Sequence, residues 1–233
     1  MAWTDPRGDL RLLLNDDPSG RLVKEKAVFP SRGGQADGTR STFFTLEDRL
    51  LASGNQSVGT QGLFVYLGSP LSQQMTEVSA SGITVTDAVR GEFAVMGTAP
   101  SGVVVKASYY FRDHLDADLD FALQQGAQQV SADVVANVAA GLQLACLDFA
   151  GAIAHRKAAA RWQARKSEQF LLEDAPAKSE VDARVAFHVD QAKQLMTEAR
   201  ELRKSYYEDR LDRARRPAYG LLKRMPSPWT PRR

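Results

Sequence analysis

Histidine is the residue type in this sequence best suited to bind a metal or to move a proton near neutral pH. The chain has three of them, His114, His155 and His188. His155 and His188 fall in two segments with helical periodicity, so they could approach each other across a helical hairpin. Two imidazoles without an acidic or thiolate third ligand make a poor metal site. We therefore expect no bound metal and interpret His188 as a polar residue that sets the register of the hairpin.

The single cysteine, Cys146, could be a nucleophile only beside an activating base in electropositive surroundings. Its neighbours Ala145 and Leu147 are apolar, and the run 142–153 around it is apolar as well. This setting predicts a small buried hydrophobic residue. One cysteine also excludes an internal disulfide framework and a multi-cysteine zinc site, which fits a reducing compartment.

A group of aspartates between residues 113 and 120 could suggest a calcium site. The segment lacks the central glycine and the terminal glutamate of an EF-hand loop. The same residues open a predicted helix, where exposed N–H groups and the helix dipole favour negative charge. We expect the helix start to account for these carboxylates, which are Asp113, Asp116, Asp118 and Asp120.

Sequence signatures of catalysis are missing from the chain. It contains no Gly-rich phosphate loop followed by Lys and Ser or Thr, no dinucleotide-type glycine fingerprint, no His-Glu-x-x-His and no nucleophile elbow. We predict that the protein is not an enzyme and that it uses no cofactor.

The C-terminal segment, residues 211–233, is the part of the sequence whose chemistry most requires a partner; we call it the tail. From Arg203 to Arg233 ten basic residues face three acidic ones, and three prolines among the last eight residues predict extended chain. The tail could bind nucleic-acid phosphates, dock in a pocket of another protein, or stay solvated and disordered. We favour protein docking. The residues expected to carry it are Arg213, Arg215, Arg216, Tyr219, Lys223, Arg224, Met225 and Trp229.

Composition places these residues in a folded, soluble protein. The chain has 233 residues, 43% of them hydrophobic, which is enough for one large domain or two small ones. A net charge of +2 excludes a histone-like binder. No stretch approaches the roughly 18 to 20 apolar residues of a membrane span, and charges behind Met1 interrupt any secretory signal. We expect synthesis in the cytoplasm and no membrane association.

The pattern of turns and apolar runs predicts an α+β fold in four parts. Residues 1–40 are rich in proline and glycine and predict an extended N-terminal arm. Residues 41–112 contain β-type runs with turn residues about every ten positions, which predicts a small antiparallel β-sandwich or barrel. A helical domain over 113–210 and the tail follow. The predicted strands are 43–46, 63–67, 82–86, 92–96 and 103–111.

The helical part contains a long regular seam. We expect helices over about 113–130 and 132–166, a break at Pro176, and a third helix from near Ser179. Apolar positions in the third helix are spaced alternately by four and three residues, so it should pack lengthwise on another helix. That partner is the preceding helix in an antiparallel hairpin or the same seam in a neighbouring copy. The seam consists of Val181, Val185, His188, Ala192, Leu195, Ala199, Leu202 and Tyr206.

Several of these segments resemble proteins of tailed-bacteriophage particles. The resemblance rests on Gly-Glu-Phe at 91–93, the Pro-Ser-Gly turn at 100–102, the strand Val-Val-Val-Lys-Ala-Ser-Tyr-Tyr at 103–110 and the acidic helix at 113–130. The helical part, residues 113–210, is similar to the head-to-tail connector, or adaptor, proteins that lie below the portal ring. The β domain departs from the simplest adaptors, which are all helical.

The resemblance implies a structural protein in the neck of a virion, made in the host cytoplasm. About twelve copies would form a ring on the portal protein, and each tail would extend into the portal. The ring would leave a channel through which genomic DNA passes without sequence-specific binding. Tail or head-completion proteins, and for the β domain capsid or fibre proteins, would be further neighbours. Two alternatives remain: a tail or baseplate structural protein, and a nucleic-acid-associated protein that uses the basic tail.

Overall fold

The structure of the protein is a computed structural model. It describes residues 3–16, 20–29, 36, 38–39, 41–51, 54–55, 62–69, 74–97, 99–166 and 175–222. At residues 54–55, 175–176 and 212–222 it describes the backbone only. The described part has the mixed α+β architecture predicted from the sequence, with a β domain and a helical domain.

The β domain consists of two antiparallel sheets that enclose one hydrophobic core. The first sheet has the strand order β1-β8-β4-β5, and the second has the order β2-β7-β6-β3. The strands of the first sheet are β1 (Arg21–Ala27), β4 (Leu63–Gly68), β5 (Met75–Glu77) and β8 (Val104–Phe111). Those of the second are β2 (Thr42–Phe44), β3 (Gly54–Asn55), β6 (Ile83–Asp87) and β7 (Glu92–Val95).

Alternating side chains of β8 explain how this core forms. Val105, Ala107 and Tyr109 point inward and are at most 1% exposed. In the opposite sheet Phe43 and Phe93 pack with their ring centroids 5.9 Å apart. Burying an apolar side chain of this size contributes about 1.5–3 kcal/mol. The strand predicted over 103–111 is confirmed, from Val104 onward.

The helical domain is built on an antiparallel pair of long helices. The helices are α1 (Pro6–Leu14), α2 (Asp116–Gln129), α3 (Gln143–Arg165) and α4 (Ala175–Leu222). α4 lies along α3, α2 also packs on α3, and α1 contacts both α2 and α3. Gly126 lets α2 approach α3 closely, because an added Cβ would lie 2.6 Å from the Cys146 carbonyl oxygen. Within the described residues, every helix is too short or too polar to cross a bilayer.

The two long helices do not begin where the sequence predicted. α3 begins at Gln143 rather than near residue 132, because two short 3-10 turns, Val135–Asn137 and Ala140–Leu142, precede it. α4 begins at Ala175, so Pro176 lies in the first turn of a helix instead of breaking one. Proline is tolerated there because the first N–H groups of a helix have no intrahelical partner.

The first 40 residues are not one extended arm in their described parts. Residue Leu10 of α1 is fully buried beside Leu119 and Leu123 of α2. β1 pairs with β8 at the edge of the first sheet. The sequence did not predict β1, because most of its side chains are exposed. It therefore lacks the alternation of apolar and polar residues that marks a half-buried strand.

Candidate functional site

The closed end of the α3–α4 hairpin is packed against the β domain. Trp162 of α3 is 0% exposed. It lies in a small apolar cluster with Phe29 and Leu46 from the β domain and Val181 from α4. This cluster joins the two domains, and ionic groups surround it.

A fully buried carboxylate, Glu47, connects the β domain to α4. It accepts hydrogen bonds from the Tyr109 hydroxyl and the Arg184 guanidinium, and the Lys26 ammonium lies 3.4 Å away. Lys26 and Arg184 also bind Glu180, at 2.7 and 2.9 Å. Burial, and then the charge of Glu47, raise the pKa of Tyr109 well above its usual value, so the phenol stays a donor. The cluster fixes the start of α4 on the sheet.

Arg165, at the end of α3, makes a second connection to the β domain. Its guanidinium is buried and donates to the carbonyl oxygens of Thr45, Leu46 and Arg90 at 2.5, 2.8 and 3.0 Å. Gly91 beside it has a φ of +72°, and an added Cβ would lie 2.6 Å from the Glu47 carbonyl oxygen. A glycine is required at this contact because both the conformation and the space exclude a side chain.

The aspartates near the start of α2 mainly form ion pairs and do not cap the helix. The N-cap residue is Leu115, whose apolar side chain cannot accept a hydrogen bond. Asp113 lies before the helix and is buried, whereas Asp116 and Asp118 occupy the first turn, where the dipole favours them. Hydrogen bonding by Arg11 lowers the pKa of Asp116. The ion pairs are Asp113 with Arg21 and Arg161, Asp116 with Arg7 and Arg11, Asp118 with Arg49 and Lys157, and Asp120 with Arg7.

All three histidines meet in one buried cluster, which we call the histidine cluster. The Nδ1 atoms of His155 in α3 and His188 in α4 are 2.9 Å apart. The ring of His114, just before α2, stands nearly perpendicular to both, with centroids 6.1 and 6.4 Å away. The sequence predicted the approach of His155 and His188 but missed His114. It lies in the first turn of the helix predicted over about 113–130, and no periodic pattern linked it to the other two histidines.

Burial keeps the histidine cluster neutral at pH 7. It lowers the pKa of His114 to about 3 and of His188 to about 4, and it lowers the pKa of His155 as well. The charge of Asp113 acts in the opposite direction on all three rings. In the part of the chain that the structure describes, no group of three or more His, Cys, Asp or Glu side chains is arranged to hold a metal ion.

Cys146 is a buried residue in the core of the helical domain. It is 0% exposed and packs with Phe149 and Ala199. Burial raises the pKa of its thiol to about 12, so almost none of it is thiolate at pH 7. Because the thiolate is the nucleophile, this setting makes the cysteine chemically inert.

The seam lies mostly inside the chain, between α3 and α4. Val181, His188, Ala192, Leu195 and Ala199 are buried. Val185 and Tyr206 are half-buried, and Leu202 is 37% exposed. Of the two partners considered for the seam, the preceding helix therefore covers most of it.

The tail begins as a continuation of α4. The helical backbone runs to Leu222, so residues 211–222 are not extended, unlike the prediction. The three closely spaced prolines that suggested extended chain lie beyond this point, at 226, 228 and 231. Of the predicted docking residues, Arg213, Arg215, Arg216 and Tyr219 lie on the helix; Lys223, Arg224, Met225 and Trp229 lie outside the described residues.

The end of α4 projects beyond its partner helix. Tyr206 packs against Gly141, where an added Cβ would lie 2.6 Å from the tyrosine ring, and α3 begins two residues later. From Tyr207 to Leu211 every residue is exposed, which is more than one full turn. The backbone from 208 to 222 adds about 22 Å at 1.5 Å per residue. We call residues 207–222 the projecting helix.

Comparison with known proteins finds no match to this chain among protein-family models, curated proteins or solved structures.

Proposed function

We propose that this protein is a structural adaptor of a tailed-phage neck, which forms a ring on the portal protein and docks there through the projecting helix and the rest of the tail. The observation that carries the proposal is the exposure of α4 on all sides from Tyr207 to Leu211. This turn gains little stability from its own chain, where the Tyr207 hydroxyl donates to the Val130 carbonyl oxygen at 3.5 Å, because most helical stability comes from tertiary packing. A partner that covers it would supply this packing.

The junction between the domains supports a role in assembly. Glu47 and Arg165 attach both helices of the hairpin to the β domain, so the projecting helix leaves a rigid base. A rigid base reduces the entropy lost when several copies associate. The β domain remains free to present a second surface to tail or head-completion proteins.

The charges of the projecting helix favour a protein partner over nucleic acid. Its described side chains carry both signs of charge, with Glu208 and Asp209 followed by Arg210. A phosphate-binding surface requires a continuous basic stripe. Tyr207 and Leu211, at 39% and 57% exposure, offer apolar contact area four residues apart on one face.

Charge reversal on the helix tests the proposal. The variant R213E/R215E/R216E should fold normally but lose association with rings of the cognate portal protein, measured by light scattering and electron microscopy. The control R156E/K178E/K193E reverses three exposed charges elsewhere on α3 and α4 and should bind normally.

Deletion of residues 213–233 gives the stricter result. Portal binding that survives this deletion would refute docking through the tail. A stable trimer or hexamer without portal binding would instead favour a tail or baseplate protein. Binding to DNA that weakens steeply with added salt would favour the nucleic-acid alternative.

A further inference from the structure

The histidine cluster occupies the point where three segments of the chain meet. His114 belongs to the connection between β8 and α2, His155 to α3 and His188 to α4. Their exposures are 3%, 5% and 6%. The chain has no further histidines, so all of its side chains with an ordinary pKa near 6.5 are gathered at this junction.

We propose that the histidine cluster is a proton-sensitive latch, which holds α4 on α3 and on the β8–α2 connection while its rings are neutral and opens more often at mildly acidic pH, because the rings take up protons once α4 has separated from them. The latch does not depend on the proposed adaptor function, because it concerns the contacts of α4 within its own chain.

The geometry of the ring pair explains why protons would open it. At an Nδ1–Nδ1 distance of 2.9 Å, one ring of the His155–His188 pair donates and the other accepts. The pair can share one extra proton, but a second proton would place two N–H groups against each other. The ring of His114, about 6 Å from both, would add a third positive charge in the same buried volume.

The charged groups around the cluster cannot neutralise three protons. One carboxylate, Asp113, faces the rings from the connection before α2, while Arg161 of α3 and Arg184 of α4 oppose protonation. The carboxylate is shared with arginines, and both opposing arginines are fixed by acids of the β domain. These pairs are Asp113 with Arg21 at 3.2 Å and Arg161 at 3.7 Å, Arg161 with Asp48 at 3.3 Å, and Arg184 with Glu47.

The pH window follows from the direction of the shifts. Each histidine has a lower pKa in the folded protein than in the unfolded chain, where it is about 6.5. The neutral rings therefore stabilise the folded protein fully above pH 6.5. This stabilisation is lost as the pH falls toward the pKa values of the folded protein. For His114 and His188, at about 3 and about 4, the unfolding equilibrium constant should rise roughly 20-fold each between pH 7 and pH 5.

Two buried acids act against this trend. Burial raises the pKa of Asp16 and of Asp148 to about 6, so both take up protons in the folded protein as the pH falls. Protonation relieves their burial and stabilises the fold. A simple stability profile would mix the two effects, so the test must follow the histidines themselves.

Labelling the histidine rings with carbon-13 isolates the latch, because the full chain gives three ring signals. We expect these signals not to titrate between pH 7.5 and 5.5 in the folded protein. Over the same range, hydrogen exchange of the α4 amides near His188, corrected for intrinsic rates, should accelerate at least tenfold.

The control R156H adds an exposed histidine next to His155, which should titrate near 6.5. Cluster signals that titrate near 6.5 in the folded state, or unchanged exchange, would overturn the proposal.

Substitution removes one titrating ring at a time. H188Q should reduce the pH dependence of the unfolding equilibrium constant between pH 7 and pH 5 by roughly 20-fold. H114N gives the same readout at a second position if H188Q does not fold. If the substituted proteins keep the full pH dependence of the unsubstituted chain, the cluster does not act as a latch.

Discussion

The two ends of α4 present opposite environments within a single helix. Near its start, Val181 is fully buried and Arg184 binds the buried Glu47. Near its end, residues 207–211 are all exposed. The first end is held by contacts of its own chain, so substitutions there should change folding. Substitutions at the second end, residues 207–211, should change the stability of the fold little, so this end can contact a partner.

Removing the buried carboxylate of Glu47, which binds the start of α4, should cause the largest loss of stability. E47A leaves Arg184, Lys26 and the Tyr109 hydroxyl without their shared acceptor, and breaking such a buried pair costs about 3–5 kcal/mol. Urea titration of E47A and of the unsubstituted chain measures this loss in the free energy of unfolding. The control E180A removes a more exposed partner of the same cations and should cost about 0–1 kcal/mol. Equal losses in the free energy of unfolding for E47A and E180A would mean that water screens all the ion pairs around Glu47.

A matched pair of leucines compares the two ends directly. Leu195 is 8% exposed against α3, whereas Leu211 is 57% exposed. L195A should lower the free energy of unfolding by about 2–5 kcal/mol because it leaves a cavity. L211A should change it by about 0.5 kcal/mol or less. A large loss for L211A in the isolated subunit would show that the projecting helix is packed on its own chain or on a second copy.

A smaller effect tests the contact between α3 and α4 just before the projection begins. Burial and the neighbouring charge of Glu198 raise the pKa of Asp148 to about 6. The protonated form therefore stabilises the fold at low pH, and this contribution is lost as the pH rises through 6. D148N should be more stable than the unsubstituted chain by about 1 kcal/mol at pH 7, and no more stable below pH 4. The exposed control D133N should show no such gain at either pH.

Residue patterns predicted most of the β domain and the hairpin. All five predicted strands exist, because runs such as 103–111 are rich in β-branched and aromatic residues and are bounded by turn residues. β1 was missed because it is a mostly exposed edge strand. The helix α1 was missed because nine residues among prolines and glycines give too short a period to recognise.

The candidate sites were predictable only in part. The approach of His155 and His188 followed from the hairpin, since both lie on the facing sides of adjacent helices. Glu47 was not singled out because an isolated glutamate in a loop usually lies at the surface. The docking of the tail stays a prediction.

The sequence by itself determined the local periods, and with them the strands, the seam and the position where the β part gives way to helices. Period depends only on neighbouring residues, so it can be read along the chain. Tertiary structure decided which distant residues meet: the third histidine, whose pKa burial lowers, and the buried carboxylate that binds Arg184. These depend on the crossing of separate elements, which no local pattern encodes. Tertiary structure also decided at which residue α4 stops packing on α3, because this depends on the length of α3.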